Sequence, residues 1–248
     1  MNPLHIVVLD RDTLVNRPFD FDFPHTLSSY GTTEAHETLE RIRGADIVIT
    51  NKVVISAQAF AENPQLKLVA VTATGVNNVD VEAAKQNGTV VCNIRAYGNE
   101  SVAEHAFMMM ITLMRNLPAY QRDVAAGLWE NSPFFCHLGA PMRDLNGKTL
   151  AIFGRGNIGK TLATYAQAFK MNVVFAEHKN AQSVRDGYIS FEEAIRSADV
   201  VSLNCPLTPQ TANMIGEAEL QQMKPGAILI NCGRGGLVDE AALVAALT

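Results

Sequence analysis

The stretch that most constrains this 248-residue chain is Lys148-Thr149-Leu150-Ala151-Ile152-Phe153, an aliphatic run that leads directly into Gly154-Arg155-Gly156-Asn157-Ile158-Gly159. An apolar run of strand length, three glycines at this spacing and an amphipathic segment to Phe169 predict strand, tight turn and helix. Gly154 permits the turn, Gly156 lets the backbone approach a pyrophosphate, and Gly159 lets helix and strand pack closely. Arg155, Asn157 and Ile158 complete the loop. The helix start brings amide N–H groups and a partial positive charge to the phosphates. A second run, Asn172–Ala176, ends at Glu177. A carboxylate there can accept both adenine-ribose hydroxyls and repel the extra phosphate of NADP, so NAD is favoured over NADP. His178 and Lys179, the next residues, soften that preference.

The same alternation recurs along the chain. Strands are expected over 5–9, 47–50, 66–71, 89–92, 149–153, 172–176, 200–203 and 227–230, with helices over 33–43, 81–86, 158–169 and 191–197. Such spacing implies right-handed βαβ units in an α/β fold. The pattern restarts near the middle. Residues 99–148 hold one long helix, expected over 100–115 from Glu100 to Arg115, and then turn signals at Asn131-Ser132-Pro133, Gly139-Ala140-Pro141 and Asn146-Gly147. Two doubly wound parallel-sheet domains follow, residues 1–98 and 99–248. The long helix carries Ala106, Met109, Met110 and Leu113 on one face and Phe107 and Ile111 on another. Being apolar all round, it is expected to be buried, in an interdomain core or a homodimer interface.

Composition narrows the ligand classes. Hydrophobic residues make up 48% but aromatics only 7%, so the apolar content is largely aliphatic, as buried parallel strands require. A net charge of -5 without a Lys/Arg cluster argues against nucleic acid. The apolar run from Met1 to Leu9 is cut off by Asp10, Arg11 and Asp12, and the run over 103–114 is too short to span a membrane. Cys92, Cys136, Cys205 and Cys232 lie far apart with no CxxC pair, which suits reduced thiols in a cytoplasmic protein and no metal site.

Three blocks together resemble the D-isomer-specific 2-hydroxyacid dehydrogenase family. The first is Ala73-Thr74-Gly75-Val76-Asn77-Asn78-Val79-Asp80 with Asn99-Glu100-Ser101-Val102-Ala103-Glu104-His105. The second is the glycine loop. The third runs from Ser202-Leu203-Asn204-Cys205-Pro206-Leu207-Thr208 through Met223-Lys224-Pro225-Gly226-Ala227 to Asn231-Cys232-Gly233-Arg234-Gly235-Gly236-Leu237-Val238-Asp239-Glu240. The run from Phe134 to Gly159 is most similar to the glycerate dehydrogenase (hydroxypyruvate reductase) branch. The resemblance implies a flavodoxin-like substrate domain and a Rossmann NAD-binding domain. It implies hydride exchange between NAD and a small 2-keto acid, hydroxypyruvate or glyoxylate, giving D-glycerate or glycolate.

Residue by residue, the resemblance gives the backbone amides of Thr74, Gly75 and Val76 to the substrate carboxylate, with Thr74 also near the nicotinamide. Cys205, Pro206, Cys232 and Gly233 line the cofactor. Arg234 follows the strand over 227–230, at the sheet end where open α/β folds bind ligands. Its guanidinium can hold a 2-keto acid by carboxylate and carbonyl oxygen, polarising the carbonyl for hydride attack. Lys52 and Tyr97 are weaker candidates. Arg95-Ala96 stands where the family often has Pro-Gly, so the interdomain connection is expected to differ. Lys170, where glycine is usual, is expected to be harmless. The family's acid–base histidine and its glutamate partner lie C-terminal to the arginine motif, and none of the six histidines here matches. The chain is therefore expected to have an incomplete C-terminus, without the last strands of the cofactor domain and the returning segment of the first. It is expected to bind NAD yet turn over poorly or not at all. The alternative is a non-catalytic NAD-responsive binding module, like the family's corepressors.

Overall fold

The computed structural model describes residues 3–14 and 18–248, so Met1 and Asn2 of the first apolar run lie outside the described residues. The chain divides into two compact units, Met1–Tyr97 and Gly98–Thr248.

The first unit is a parallel sheet of β1 (Leu4–Val8), β2 (His25–Ser29), β3 (Ile47–Thr50), β4 (Leu68–Val71) and β5 (Val90–Asn93). Its strand order, β2-β1-β3-β4-β5, is that of flavodoxin-like folds. Both faces are covered, which is why the central strands read as unbroken aliphatic runs. Val7 and Val48 pack with Phe60 and Leu66 on one side, and Ile6, Val8 and Ile49 with Phe19, Phe21 and Phe23 on the other. The helices are α1 (Thr38–Arg41), α2 (Ala57–Glu62) and α3 (Val81–Asn87). Asp80 caps α3 by accepting from the Ala83 amide at 2.9 Å, and Gly88, at φ 76°, closes its far end.

One strand falls where none was expected, and one expected helix is shorter than its pattern. Strand β2 has no aliphatic signal, because it is an edge strand that pairs only with β1 and leaves Leu27 43% exposed. The helix expected over 33–43 shrinks to the single turn α1. Side chains take the bonds a longer helix would need: Glu37 accepts from the Glu34 amide, and Arg41 reaches back to the Thr32 carbonyl and the Thr33 hydroxyl.

The second unit is a parallel sheet of β6 (Thr149–Phe153), β7 (Asn172–Ala176), β8 (Val200–Leu203) and β9 (Ile228–Asn231), in the order β7-β6-β8-β9. Beyond β7 a single residue, Ile189, continues the sheet by bridging Ala176 in parallel. The helices are α4 (Asn99–Met114), α5 (Leu117–Ala125), α6 (Asn157–Ala168), α7 (Phe191–Ser197), α8 (Glu217–Gln222) and α9 (Glu240–Leu247). Helices α4 and α6 cover one face of the sheet and α7 covers the other.

Helix α4 is not buried all round within this unit. Its buried stripe is Ala103, Ala106, Met110 and Met114, at the spacing of one helix face, while Met108 and Leu113 are about half exposed. Backbone strain also appears where the resemblance led to glycine being expected: Ala96 and Lys170 both sit at φ 60°, in the left-handed region. Lys170 is thus not without consequence. Among the described residues no helix is long and apolar enough to cross a membrane.

Candidate dinucleotide and keto-acid site

The order of the second sheet reverses between β6 and β8, since β7 lies on one side of β6 and β8 on the other. Ligands of open α/β sheets bind at such a reversal, outside the carboxyl ends of the strands. The glycine loop leaves β6 there, and Asn204-Cys205-Pro206 leaves β8 beside it. The two loops touch: Gly154 is at φ 109°, and a Cβ on it would fall 2.7 Å from the Asn204 carbonyl oxygen. A Cβ on Gly159 would meet the Gly154 carbonyl at 2.1 Å, whereas Gly156 faces open space. The space beside Gly156 is where a phosphate can approach the main chain. Helix α6 starts at Asn157 without a side-chain cap, so its first-turn amides are offered outward.

A cavity of about 510 Å³ opens beside this loop, lined by Gly154, Arg155, Glu177, Arg185, Pro206 and Thr211 among others. The Arg155 guanidinium lies 4.8 Å from the Phe175 ring and 5.3 Å from that of Tyr188. Glu177 is buried at the end of β7, but it is not a vacant acceptor. Its Oε1 accepts from the His178 amide at 2.8 Å and an Arg185 terminal nitrogen at 2.7 Å. Its Oε2 accepts from Arg185 Nε at 2.7 Å and the Arg185 amide at 3.2 Å. The Arg185 guanidinium, with the His178 amide second, holds the Glu177 carboxyl down to about 2. No periodicity or motif in the sequence marked Arg185, which lies in an irregular loop eight positions after Glu177. Lys179 is engaged as well, 2.7 Å from Glu219.

Cys205 and Cys232 are partly buried, and burial pushes both thiols up, so they present neutral walls at neutral pH. The loop after β9 is fixed by Asn231, whose side chain accepts from the Gly233 amide at 3.0 Å and donates to the Arg234 carbonyl at 2.8 Å. Arg234 itself is exposed, and among the described residues its side chain bonds only the Gly233 carbonyl, at 3.1 Å. Among the described residues it has no carboxylate partner, which leaves its charge for an anion.

In the first unit, Thr74, Gly75 and Val76 follow β4 in an irregular turn. Asn93 braces that turn by donating to the Thr74 carbonyl at 2.7 Å. Among the described residues the three amides donate no backbone hydrogen bond. The Lys52 side chain is exposed while its amide bonds Asp10 at 2.6 Å, and Tyr97 is 65% exposed.

Comparison with known proteins agrees with this geometry. Residues 107–248 match the D-isomer specific 2-hydroxyacid dehydrogenase, NAD binding domain family. The chain is 43% identical over 243 residues to the glycerate dehydrogenase of Methylorubrum extorquens, covering 98% of this chain and 76% of that one. It is 36% identical over 218 residues to the hydroxypyruvate reductase of Blautia hydrogenotrophica, covering 87% and 68%. The crystal structure of the TT0316 protein of Thermus thermophilus superposes with a TM-score of 0.82 at 32% identity, over 98% of this chain and 78% of that one. The glycine loop at a sheet reversal, the arginine after β9 and these likenesses lead to one assignment: the chain belongs to the NAD-dependent D-isomer-specific 2-hydroxyacid dehydrogenases and resembles glycerate dehydrogenase within them.

Proposed function

We propose that this protein reduces a small 2-keto acid, hydroxypyruvate or glyoxylate, to its D-2-hydroxy acid with NADH, and runs the reverse reaction on D-glycerate or glycolate. The observation that carries the reading is Arg234: its guanidinium has no carboxylate partner among the described residues, and Asn231 fixes the main chain of its loop after β9. NADH is assigned to the glycine loop, the first turn of α6 and the cavity beside them, with Glu177 facing the adenine ribose and Cys205, Pro206, Cys232 and Gly233 along the cofactor. When bound, the cofactor would supply the hydride to C2, and the carbonyl oxygen would gain a proton to complete the hydroxy acid. Arg234 orients the keto acid through its carboxylate and draws electron density from the carbonyl oxygen, so that C2 becomes the electrophile. The resemblance assigns the amides of Thr74, Gly75 and Val76 to the same substrate's carboxylate.

The assembly we propose is a homodimer formed through the α4 region. Its support is the apolar surface of that region, where Met108, Leu113, Leu117 and Trp129 are each about half exposed. A reducing compartment such as the cytoplasm suits the four unpaired cysteines.

The test is loss of NADH absorbance on adding hydroxypyruvate or glyoxylate to the protein as its gene encodes it. Keto-acid-dependent oxidation is expected, with kcat/KM falling by on the order of 10²-fold or more in Arg234→Ala. An Arg234→Ala enzyme at full rate would remove that residue from the site. NADH bound but consumed by neither acid would favour the binding module over the reductase.

A further inference from the structure

The carboxylate that should meet the adenine ribose already has four donors, two on each oxygen. A carboxylate offers about four lone-pair positions, so a ribose diol can bond Glu177 only if something leaves. The two backbone donors, His178 N–H and Arg185 N–H, are tied to the course of the chain. The Arg185 guanidinium is the part that can move. It stands on an exposed residue and stacks 4.2 Å from the centre of the Tyr188 ring. The charge around the cavity is also not what a carboxylate meant to repel phosphate would need. Arg185 neutralises Glu177, Glu219 neutralises Lys179, and Arg155, 5.3 Å from the centre of the Tyr188 ring, has no carboxylate partner among the described residues.

We propose that Arg185 is an exchangeable counter-ion that admits both dinucleotides: the ribose diol of NAD(H) displaces its guanidinium from Glu177, whereas the 2′-phosphate of NADP(H) recruits it. The inference rests on the assignment of NADH to this cavity. In the NAD(H) complex the guanidinium swings off the carboxylate and keeps its stacking partner, Tyr188. In the NADP(H) complex it bonds the phosphate in the fork geometry that guanidinium and phosphate share. Discrimination between the two cofactors is therefore shallow, although Glu177 keeps it in favour of NAD(H).

Arg185 and Glu177 variants separate this from a structural role, with dissociation constants for NADH and NADPH read from nicotinamide fluorescence. In the unmodified protein, NADPH should bind within on the order of tenfold of NADH. Arg185→Ala removes both the competitor for Glu177 and the partner for the phosphate. It should tighten NADH severalfold and weaken NADPH by on the order of tenfold. Glu177→Gln removes the repelling charge and frees Arg185, and should shift the ratio towards NADPH. Arg185→Ala weakening both cofactors alike, or an unmodified protein that binds NADH but no NADPH, would overturn the inference and leave the NADH assignment standing. An unmodified protein that binds neither would overturn that assignment and this inference with it.

Discussion

The carbonyl oxygen of Gly154 occupies the place where a side chain on Gly159 would begin, 2.1 Å from an ideal Cβ, with an Ile152 methyl only 3.1 Å away. Strand β6 and helix α6 are held together at this point by the lack of an atom. Neither neighbour is free to yield, since one is main chain in the turn and the other belongs to the packed core.

Gly159→Ala is therefore expected to push α6 off β6 and spoil the loop to which we assign the pyrophosphate. Overpacking a site of this kind costs about 1–3 kcal/mol. A lower thermal midpoint should accompany weaker NADH binding. Normal NADH affinity in a folded Gly159→Ala protein would mean that the loop does not need this close contact.

Where burial imposed a sequence pattern, the elements were legible beforehand. Strands β3, β6 and β8 fall on the residues their aliphatic runs indicated, because both sheet faces are covered there and nearly every position is buried, and β7 at its sheet's edge coincides through its own apolar run. Strand β2 was invisible for the opposite reason: as an edge, it needs no apolar run. In the candidate site, the tight turn at Gly154, the close helix–strand packing at Gly159 and the position of Arg234 after a strand could be read because each follows from local chain geometry. Arg185 could not, since its importance arises only when an irregular loop folds back over Glu177. Helix α4 misled through composition, since apolar residues on several faces do not show which of them its own unit covers.

Asp10 performs in the first unit a task that its sequence context did not suggest. It is 3% exposed and lies where the first sheet reverses, between β1 and β3. Its carboxylate accepts from three successive amides, Asn51 at 2.9 Å, Lys52 at 2.6 Å and Val53 at 3.4 Å. The protein's own carboxylate thus fills an anion nest. Asp10→Ala should cost about 1–3 kcal/mol by leaving the Asn51 and Lys52 amides unpaired, seen as a lower urea midpoint and faster hydrogen exchange at 51 and 52, while the Val53 amide keeps the Thr50 hydroxyl at 3.1 Å. Asp10→Asn, which keeps one acceptor, should cost less. Unchanged exchange at those amides would show that the nest holds without the carboxylate.

Tyr165 on α6 donates to Glu100 on α4 at 2.5 Å, and this hydrogen bond is the first cause of a phenol pushed up to about 12. A group whose ionisation is raised in the folded state gives its stabilisation fully below its unfolded value, near 10, and loses it as pH climbs to the folded one. The contribution should thus be constant through neutral pH and disappear between about 10 and 12. Ultraviolet titration should show one late tyrosine, absent from Tyr165→Phe and moved to an ordinary value in Glu100→Gln. A Glu100→Gln protein that retains the late transition would show that the carboxylate is not its cause.

Lys170 gives the most direct test of a backbone effect. It follows α6 at φ 60°, where an L side chain costs roughly 1–2 kcal/mol and glycine costs nothing sterically. Its amide donates to the Gln167 carbonyl and its carbonyl accepts from the Gly147 amide, so the conformation is fixed by bonds at both ends. Glycine loses about 0.5–1 kcal/mol of that gain through the greater freedom of the unfolded chain. Lys170→Gly should therefore stabilise the protein by about 0.5–1 kcal/mol, while Lys170→Ala, which keeps the Cβ, should change little. The pair separates backbone strain from loss of the lysine charge. If both variants shift the denaturation midpoint equally, the charge is responsible and the left-handed backbone carries no penalty here.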